Sequence, residues 1–162
     1  MTVIALNGHR TVDDPWQHWR PRNLLELARE PIAPPSLLGL LYTGRRHTVF
    51  GEPESGKSLL AAVAAAAVVR DHQHPGAVIW VDVDGAPPID LAERLRLLGV
   101  DDDTIDAAVV YMRPEGPLTD PERLAIAASV AASTKLVVID SLTGALALHG
   151  LDPNKAEHIQ YW

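Results

Sequence analysis

The feature that most constrains this sequence is a segment with two glycines, a lysine and a serine at fixed spacing. Gly51 is the first residue of the segment, Gly56 is the sixth, and Lys57 and Ser58 follow directly. In this pattern the backbone amides curl around phosphate oxygens and the chain then enters a helix. A short apolar run precedes the segment and a long alanine-rich run follows it. We therefore predict a phosphate-binding P-loop, and the flanking strand and helix argue against a chance glycine-rich turn.

The residue types in this loop predict ATP and Mg²⁺ as its ligands. Lys57 can reach the outer phosphates, which makes it a catalytic candidate as well, and the Ser58 hydroxyl can bind the metal ion. Glu52 and Glu54 place negative charge beside the phosphates, which the lysine, the amides and the metal must outweigh. The predicted nucleotide contacts are Gly51, Glu52, Pro53, Glu54, Ser55, Gly56, Lys57, Ser58 and Leu59.

The second informative feature is an acidic residue at the end of a predicted buried strand. Residues 136–140 are four apolar residues ending in Asp140, as expected of a strand that is covered on both faces. Ligands bind at the carboxyl edge of such sheets. We predict that Asp140 and Ser58 form the two-part magnesium site; without the P-loop, a turn or cap role for Asp140 would be the simpler interpretation.

A third strand, near 77–83, is followed by Asp84. ATP hydrolysis needs a group that orients the attacking water, and a carboxylate at a neighbouring strand end can reach it. Asp84 is the catalytic candidate. The alternative is that Asp84 and Gly85 only form the turn before Pro87 and Pro88, because this dipeptide is common in turns.

The alternation of short apolar runs with longer helical ones predicts an α/β fold, a mostly parallel sheet with flanking helices. We expect strands near 47–50, 77–83, 108–112 and 136–140, and helices over 57–71, 88–98, 121–132 and from 153 onward. Residues 1–35 are predicted to be an arm with one short helix at 23–30, and residues 36–162 the ATP-binding domain. Pro31, Pro34 and Pro35 separate the two.

The composition narrows the class of protein. The chain has 162 residues, 47% of them apolar, no cysteine and a formal charge of -7. We expect a cytoplasmic protein without a membrane partner, because the most apolar run is about half the length that spans a bilayer. The negative charge argues against a broad basic face that wraps nucleic acid.

In the order of its motifs the chain resembles the RecA-like ATPases, and among them the RepA-type hexameric replicative helicases, an AAA-like branch. The resemblance runs from about residue 40 to residue 152. It is carried by the P-loop at 51–58, by Val81-Asp82-Val83-Asp84-Gly85, by Glu93-Arg94-Leu95 and Leu98-Gly99-Val100, and by Val138-Ile139-Asp140-Ser141-Leu142-Thr143.

This resemblance implies a partial RecA-like core that hydrolyses ATP in support of DNA unwinding or remodelling. It also implies a homo-oligomer, a hexamer in the family, with DNA as a partner that the charge of this chain does not support. The family usually carries Glu where this chain has Asp84. Because Asp is one methylene shorter, slow turnover is expected.

The same family places a further strand between the P-loop strand and the Asp140 strand, and no such strand follows Pro153. We therefore expect a core truncated on its C-terminal side. The two flanking strands would then pair directly, leave backbone groups unsatisfied, or accept a strand from another chain. A non-catalytic nucleotide-binding or interaction module, a truncated remnant, is the alternative function.

Overall fold

The computed structural model describes residues 2–5, 23–29, 35–117 and 133–155. The elements in chain order are β1 (Thr2–Ala5), α1 (Leu24–Leu27), β2 (Arg46–Thr48), α2 (Lys57–Asp71), β3 (Val78–Asp82), α3 (Pro88–Leu97), α4 (Asp102–Ala108), β4 (Val109–Met112), β5 (Leu136–Asp140) and α5 (Leu142–Leu148). The predicted helix at 121–132 lies outside the described residues. Of the helix predicted from 153 onward, Pro153 and Asn154 form a turn and residues 156–162 are not described.

The strands form one five-stranded sheet in the order β2-β1-β5-β3-β4. Strands β5, β3 and β4 are parallel to one another. Strand β1 is antiparallel to both of its neighbours, which makes β2 parallel to the other three. The predicted α/β class, a mostly parallel sheet flanked by helices, is confirmed.

Strand β1 lies where the sequence led us to expect a gap. Thr2 pairs with Thr48 of the P-loop strand on one side and with Ile139 of the Asp140 strand on the other. The expectation that these two strands would pair directly, stay unsatisfied or need another chain is therefore wrong for this structure. Residues of the predicted arm supply the strand, and it runs antiparallel to both of its neighbours. The boundary near residue 36 stays a prediction.

Helix α2 covers one face of the sheet, over the range that the sequence predicts. Its buried side chains are mostly alanine: Ala61, Ala62, Ala64, Ala65, Ala66, Val68 and Val69. They pack with Val78 and Trp80 of β3 and with Leu136 and Val138 of β5 in one apolar cluster. Alanine favours the helix and its small side chain allows close approach to the sheet. The start of α2 is thereby fixed against the ends of the central strands.

Helix α5 packs against β5 on the other face. Its Ala145 and Leu146 are buried but lie outside the cluster under α2, and so does Ile79 of β3. Successive strand residues point to opposite faces, so Ile79 faces away from its neighbours Val78 and Trp80. Both faces of the central strands are covered. Within the described part of the chain, no helix combines the length and apolar character needed to cross a membrane.

Candidate nucleotide-binding site

The P-loop joins the end of β2 to the start of α2. Gly56 precedes the helix in the left-handed conformation, with φ of 86°, which glycine adopts without strain. No side chain caps this helix end, and its first turn carries no acidic residue. The first amide N–H groups of a helix have no partner within it, and the helix dipole favours negative charge there. The start of α2 is therefore suited to bind an anion.

The loop itself leaves room for a ligand close to its backbone. A Cβ added at Gly51 would lie 2.7 Å from the Ser55 Oγ atom, so a larger residue would fill the cradle. The Ser55 amide donates to the Glu52 carbonyl over 3.2 Å and closes a turn. Glu52, Pro53 and Glu54 are exposed, as is Leu59 on the first turn of α2. The two glutamates therefore stay in water.

Lys57 lies over its own loop. Its Nζ donates to the carbonyl oxygens of Gly51, at 2.9 Å, and Glu52, at 2.6 Å, and contacts the Ser55 hydroxyl at 3.3 Å. All three acceptors of the ammonium group are uncharged. A phosphate oxygen can displace them, because a hydrogen bond between two charged groups is stronger. Lys57 does not line the adjoining cleft described next.

Three of the predicted site residues meet in one cleft with a volume of about 120 Å³. Ser58 comes from α2, Asp84 from the turn after β3, and Asp140 from the end of β5. The other lining residues are Trp80, Asp82, Ala86, Pro87, Asp90, Leu91, Arg94 and Tyr111. Residues far apart in sequence are brought together because parallel strands end at the same edge of the sheet.

Ser58 and Asp140 fit a magnesium ion. Both are half-buried, and within the described ranges neither the Ser58 hydroxyl nor the Asp140 carboxylate has a hydrogen-bond partner in the protein. An unpaired, half-buried carboxylate beside a hydroxyl suits a hard cation with oxygen ligands. No group of three or more His, Asp or Glu side chains among the described residues could hold a metal. The ion would take its other oxygens from phosphate and water, as Mg²⁺ usually does.

Asp82 organises the turn that carries Asp84. It is 5% exposed and pairs in register with Asp140. Its Oδ1 accepts from the amides of Asp84 and Gly85, each at 3.1 Å, and its Oδ2 accepts from the Tyr111 hydroxyl at 2.6 Å. Every oxygen of this buried carboxylate is thus satisfied. No role was predicted from the sequence for Asp82 or Tyr111, although an acidic residue at a buried strand position was a usable signal.

Burial and the neighbouring Asp82 carboxylate both raise the pKa of Tyr111. Loss of solvent contact first, and then the hydrogen bond to Asp82, raise the pKa of Tyr111 to about 12. The phenol therefore stays protonated and remains a donor over the whole physiological range.

Asp84 itself is exposed, and its Oδ1 accepts a hydrogen bond from the Ser141 hydroxyl over 2.6 Å. The backbone of the turn is held from two other sides. Val83 and Asp84 donate their amides to the Asp140 carbonyl, at 2.6 and 3.3 Å, and the Gly85 carbonyl accepts from the Arg113 guanidinium at 2.8 Å. Asp84 and Gly85 do form a turn, as the alternative interpretation held, and that turn places Asp84 in the cleft.

Arg94, which was named from the sequence only as part of the family resemblance and without a role, is a further functional candidate. It comes from α3 and is the one basic residue among those that line the cleft, four of which are aspartates. Leu91, one helical turn earlier, lines the same cleft, and this spacing on one helix face was the available signal.

A P-loop between strand and helix, with a serine and a strand-end aspartate in one cleft at the carboxyl edge of a parallel sheet, defines the class of P-loop NTPase domains. The family model described as AAA domain matches residues 17–161. The chain therefore belongs to this family of AAA-type P-loop ATPases, whose members generally use ATP and Mg²⁺. No curated protein and no solved structure matches the chain significantly.

Proposed function

We propose that this chain binds ATP with Mg²⁺ at residues 51–59 and hydrolyses it in the adjoining cleft. One observation carries the proposal: Ser58, Asp84 and Asp140, from three separate segments, line the same cleft beside the uncapped start of α2. Ser58 offers a hydroxyl ligand from a helix, Asp140 a carboxylate ligand from the end of β5, and Asp84 a second carboxylate from the turn after β3. That set matches what phosphoryl transfer to water requires.

Each group has a distinct task in the proposed reaction. The amides at the start of α2 and the Lys57 ammonium hold the phosphate oxygens. Asp84 accepts a hydrogen bond from the water molecule and orients it for in-line attack on the terminal phosphorus. A bond forms between the water oxygen and the terminal phosphorus while the bond to the bridging oxygen breaks, the released proton passes to solvent, and ADP and inorganic phosphate leave.

The site residues also accommodate the metal. Ser58 and Asp140 would hold Mg²⁺, which supplies neutralisation of the phosphate charge when bound. Because Asp82 is already satisfied by Tyr111 and two backbone amides, it is not a ligand in this arrangement.

Titration with a fluorescent ATP analogue, followed by a phosphate-release assay, tests the proposal. We expect wild-type chain to bind the analogue in the presence of Mg²⁺ and to release phosphate. Asp140→Asn should weaken the dependence of binding on Mg²⁺, and Asp84→Asn should abolish release while binding persists. The matched control is Asp106→Asn, the same change at an exposed position of α4. Equal release by Asp84→Asn and wild type would count against the catalytic assignment.

A non-catalytic nucleotide-binding module is the second candidate. Two observations favour it. Asp84 is one methylene shorter than the Glu that the resembled family usually carries at this position, and one of its oxygens already accepts a hydrogen bond from Ser141. The same pair of assays separates the candidates, since binding without phosphate release supports the module and binding with release supports the enzyme.

For the biological setting we propose the RepA-type branch of the RecA-like ATPases, in which hydrolysis supports DNA unwinding or remodelling by a hexamer. The ordered motifs from the P-loop to Asp140 and Ser141 support this. Light scattering with and without ATP tests the hexamer, and stimulation of phosphate release by single-stranded DNA tests the partner. A monomer whose turnover ignores DNA would contradict this setting without touching the ATPase proposal.

A further inference from the structure

The Asp84 side chain is hydrogen-bonded to Ser141, the first residue after β5. The Ser141 hydroxyl donates to Asp84 Oδ1 over 2.6 Å and accepts from the Gly144 amide over 3.2 Å. An ionised carboxylate has no proton to give, so the hydroxyl must be the donor in the short bond. Its two hydrogen-bonding functions are thereby assigned without conflict.

The same serine is the N-cap of α5. Its backbone is extended, with φ of -113° and ψ of 163°, and its side chain is the only cap of this helix start. Serine is a favoured N-cap because its oxygen accepts an amide hydrogen of the first turn. The start of α5 therefore fixes where the hydroxyl lies, and through it the Asp84 carboxylate.

Gly144 provides the space for this contact. A Cβ at this position would lie 3.2 Å from Asp84 Oδ1, 3.2 Å from the Val83 carbonyl oxygen and 3.3 Å from the Val83 Cβ atom. Glycine inside a helix is unfavourable for the helix itself. Its presence here allows α5 to approach the turn closely enough for Ser141 to reach Asp84.

We infer that Ser141 is a positioning residue for the water-orienting carboxylate, an inference that rests on the proposed ATP hydrolysis. Holding Oδ1 leaves Oδ2 as the oxygen for water and restricts the rotation of the short Asp84 side chain. Ser141 also directly follows the metal-ligand candidate Asp140. Because Ser141 is bonded to Asp140 along the chain and hydrogen-bonded to Asp84, it fixes the position of the Asp84 carboxylate relative to the metal site. In-line attack requires such a fixed position of the group that orients the water.

Steady-state phosphate release and analogue binding by four variants test the inference. We expect Ser141→Ala to lower kcat roughly ten- to a hundredfold, the range that a misplacement of about one ångström produces, with KM and analogue affinity within a factor of about two. Ser141→Thr keeps a hydroxyl that can donate and accept, and it should restore most of kcat. In the Asp84→Asn background, where no release is expected, Ser141→Ala should leave the analogue affinity unchanged, because its effect runs through the carboxylate and not through nucleotide binding.

The matched control removes a cap elsewhere. Asp101 caps α4, also seven residues long, by accepting from the Thr104 amide, and it does not line the cleft. Asp101→Ala should lower Tm to a similar extent as Ser141→Ala and leave kcat unchanged.

Two failures are distinguishable. If wild-type chain releases no phosphate, or Asp84→Asn releases it normally, the proposed function fails and the inference falls with it. If Asp84→Asn is inactive but Ser141→Ala retains wild-type kcat, or loses no more than its stability-matched control, the inference alone is overturned.

Discussion

The Tyr111 hydroxyl donates to Asp82 Oδ2 over 2.6 Å and so joins β4 to the acid at the end of β3. The other oxygen of Asp82 holds the amides of Asp84 and Gly85. A phenol on one strand therefore helps to shape the turn that presents the catalytic candidate. Because Asp82 is 5% exposed, losing its donor would leave a buried charge partly unsatisfied, at a cost of about 1–3 kcal/mol.

This bond predicts a pH dependence of stability in the alkaline range. The pKa of Tyr111 is about 12 in the folded chain, above the value of about 10 for an unfolded tyrosine. The stabilisation is therefore fully present below pH ~10 and is lost as the pH rises through ~12. Urea unfolding from pH 9 to 12 measures it. Tyr111→Phe should be less stable at neutral pH and should lack this component, whereas Tyr42→Phe, at an exposed ring, should keep it.

The contacts of Lys57 predict a loss of nucleotide binding without a loss of fold. Among the described residues, Lys57 Nζ donates hydrogen bonds only to two loop carbonyls and one hydroxyl. The substitution Lys57→Ala therefore removes a cation that the phosphates need without breaking a buried ion pair. We expect the affinity for the ATP analogue to fall by about 1.5–3 kcal/mol, the worth of hydrogen bonds to charged groups. Circular dichroism should be unchanged. Lys155→Ala, at an exposed lysine, serves as the control, and equal affinities of the two variants would contradict the assignment.

Arg94 predicts a charge effect on the cleft. It lines the cleft together with Asp82, Asp84, Asp90 and Asp140, and a bound triphosphate would add further negative charge. Arg94→Ala should weaken ATP binding or turnover about tenfold, and more at low salt because screening is weaker there.

Arg96 offers the control on the same helix. It forms an exposed ion pair with Asp102 at 2.6 Å, away from the cleft. Such surface pairs contribute about 0–1 kcal/mol, so Arg96→Ala should leave nucleotide affinity and turnover unchanged. If Arg94→Ala and Arg96→Ala changed nucleotide affinity equally, the effect would come from a general change in α3 and not from the charge of Arg94 in the cleft.

The central position of β1 predicts that a backbone change near residue 3 affects the distant site. Val3 pairs with His47 and with Val138, and among the described strands β1 is the one that links β2 to β5. Val3→Pro removes an amide donor from the ladder, so we expect a lower Tm and weaker ATP binding. Hydrogen exchange should accelerate in peptides that contain residues 46–48 and 136–139. Val3→Thr keeps the amide and is the control; unaltered exchange in Val3→Pro would contradict the pairing.

The parts of this structure that sequence reasoning predicted are those with a local cause. Helix α2 follows from the run of alanines after the P-loop, and β5 follows from four apolar residues before Asp140, so both ranges were predicted as found. The P-loop strand was predicted at 47–50 but is found at Arg46–Thr48. Phe50 was included because it is apolar, although it is 86% exposed in the loop.

Elements with a tertiary cause were missed. Strand β1 has a β-branched sequence, but its partners lie at 46–48 and 136–139, and nothing nearby indicates that choice. The short helices α4 and α5 were also missed, since seven residues give too little periodicity and only the caps Asp101 and Ser141 mark them. In the cleft, Asp84, Asp140 and Ser58 were predicted from strand ends and the P-loop motif, whereas Ser141 and Tyr111 act through contacts that only the fold creates.

The antiparallel strand in the middle of the sheet also sets the order in which the domain can form. Pairing of Thr2 with Ile139 closes a loop of roughly 140 residues, which costs on the order of 4 kcal/mol of chain entropy beyond the constant term. Contacts of such high sequence separation form slowly. Strands β3, β4 and β5 can assemble without that closure, whereas β2 joins them in the sheet only through β1. The strand that leads into the P-loop is therefore expected to join the sheet last, once Thr2 and Ile139 have paired, although α2 already holds the helical end of the P-loop against β3 and β5.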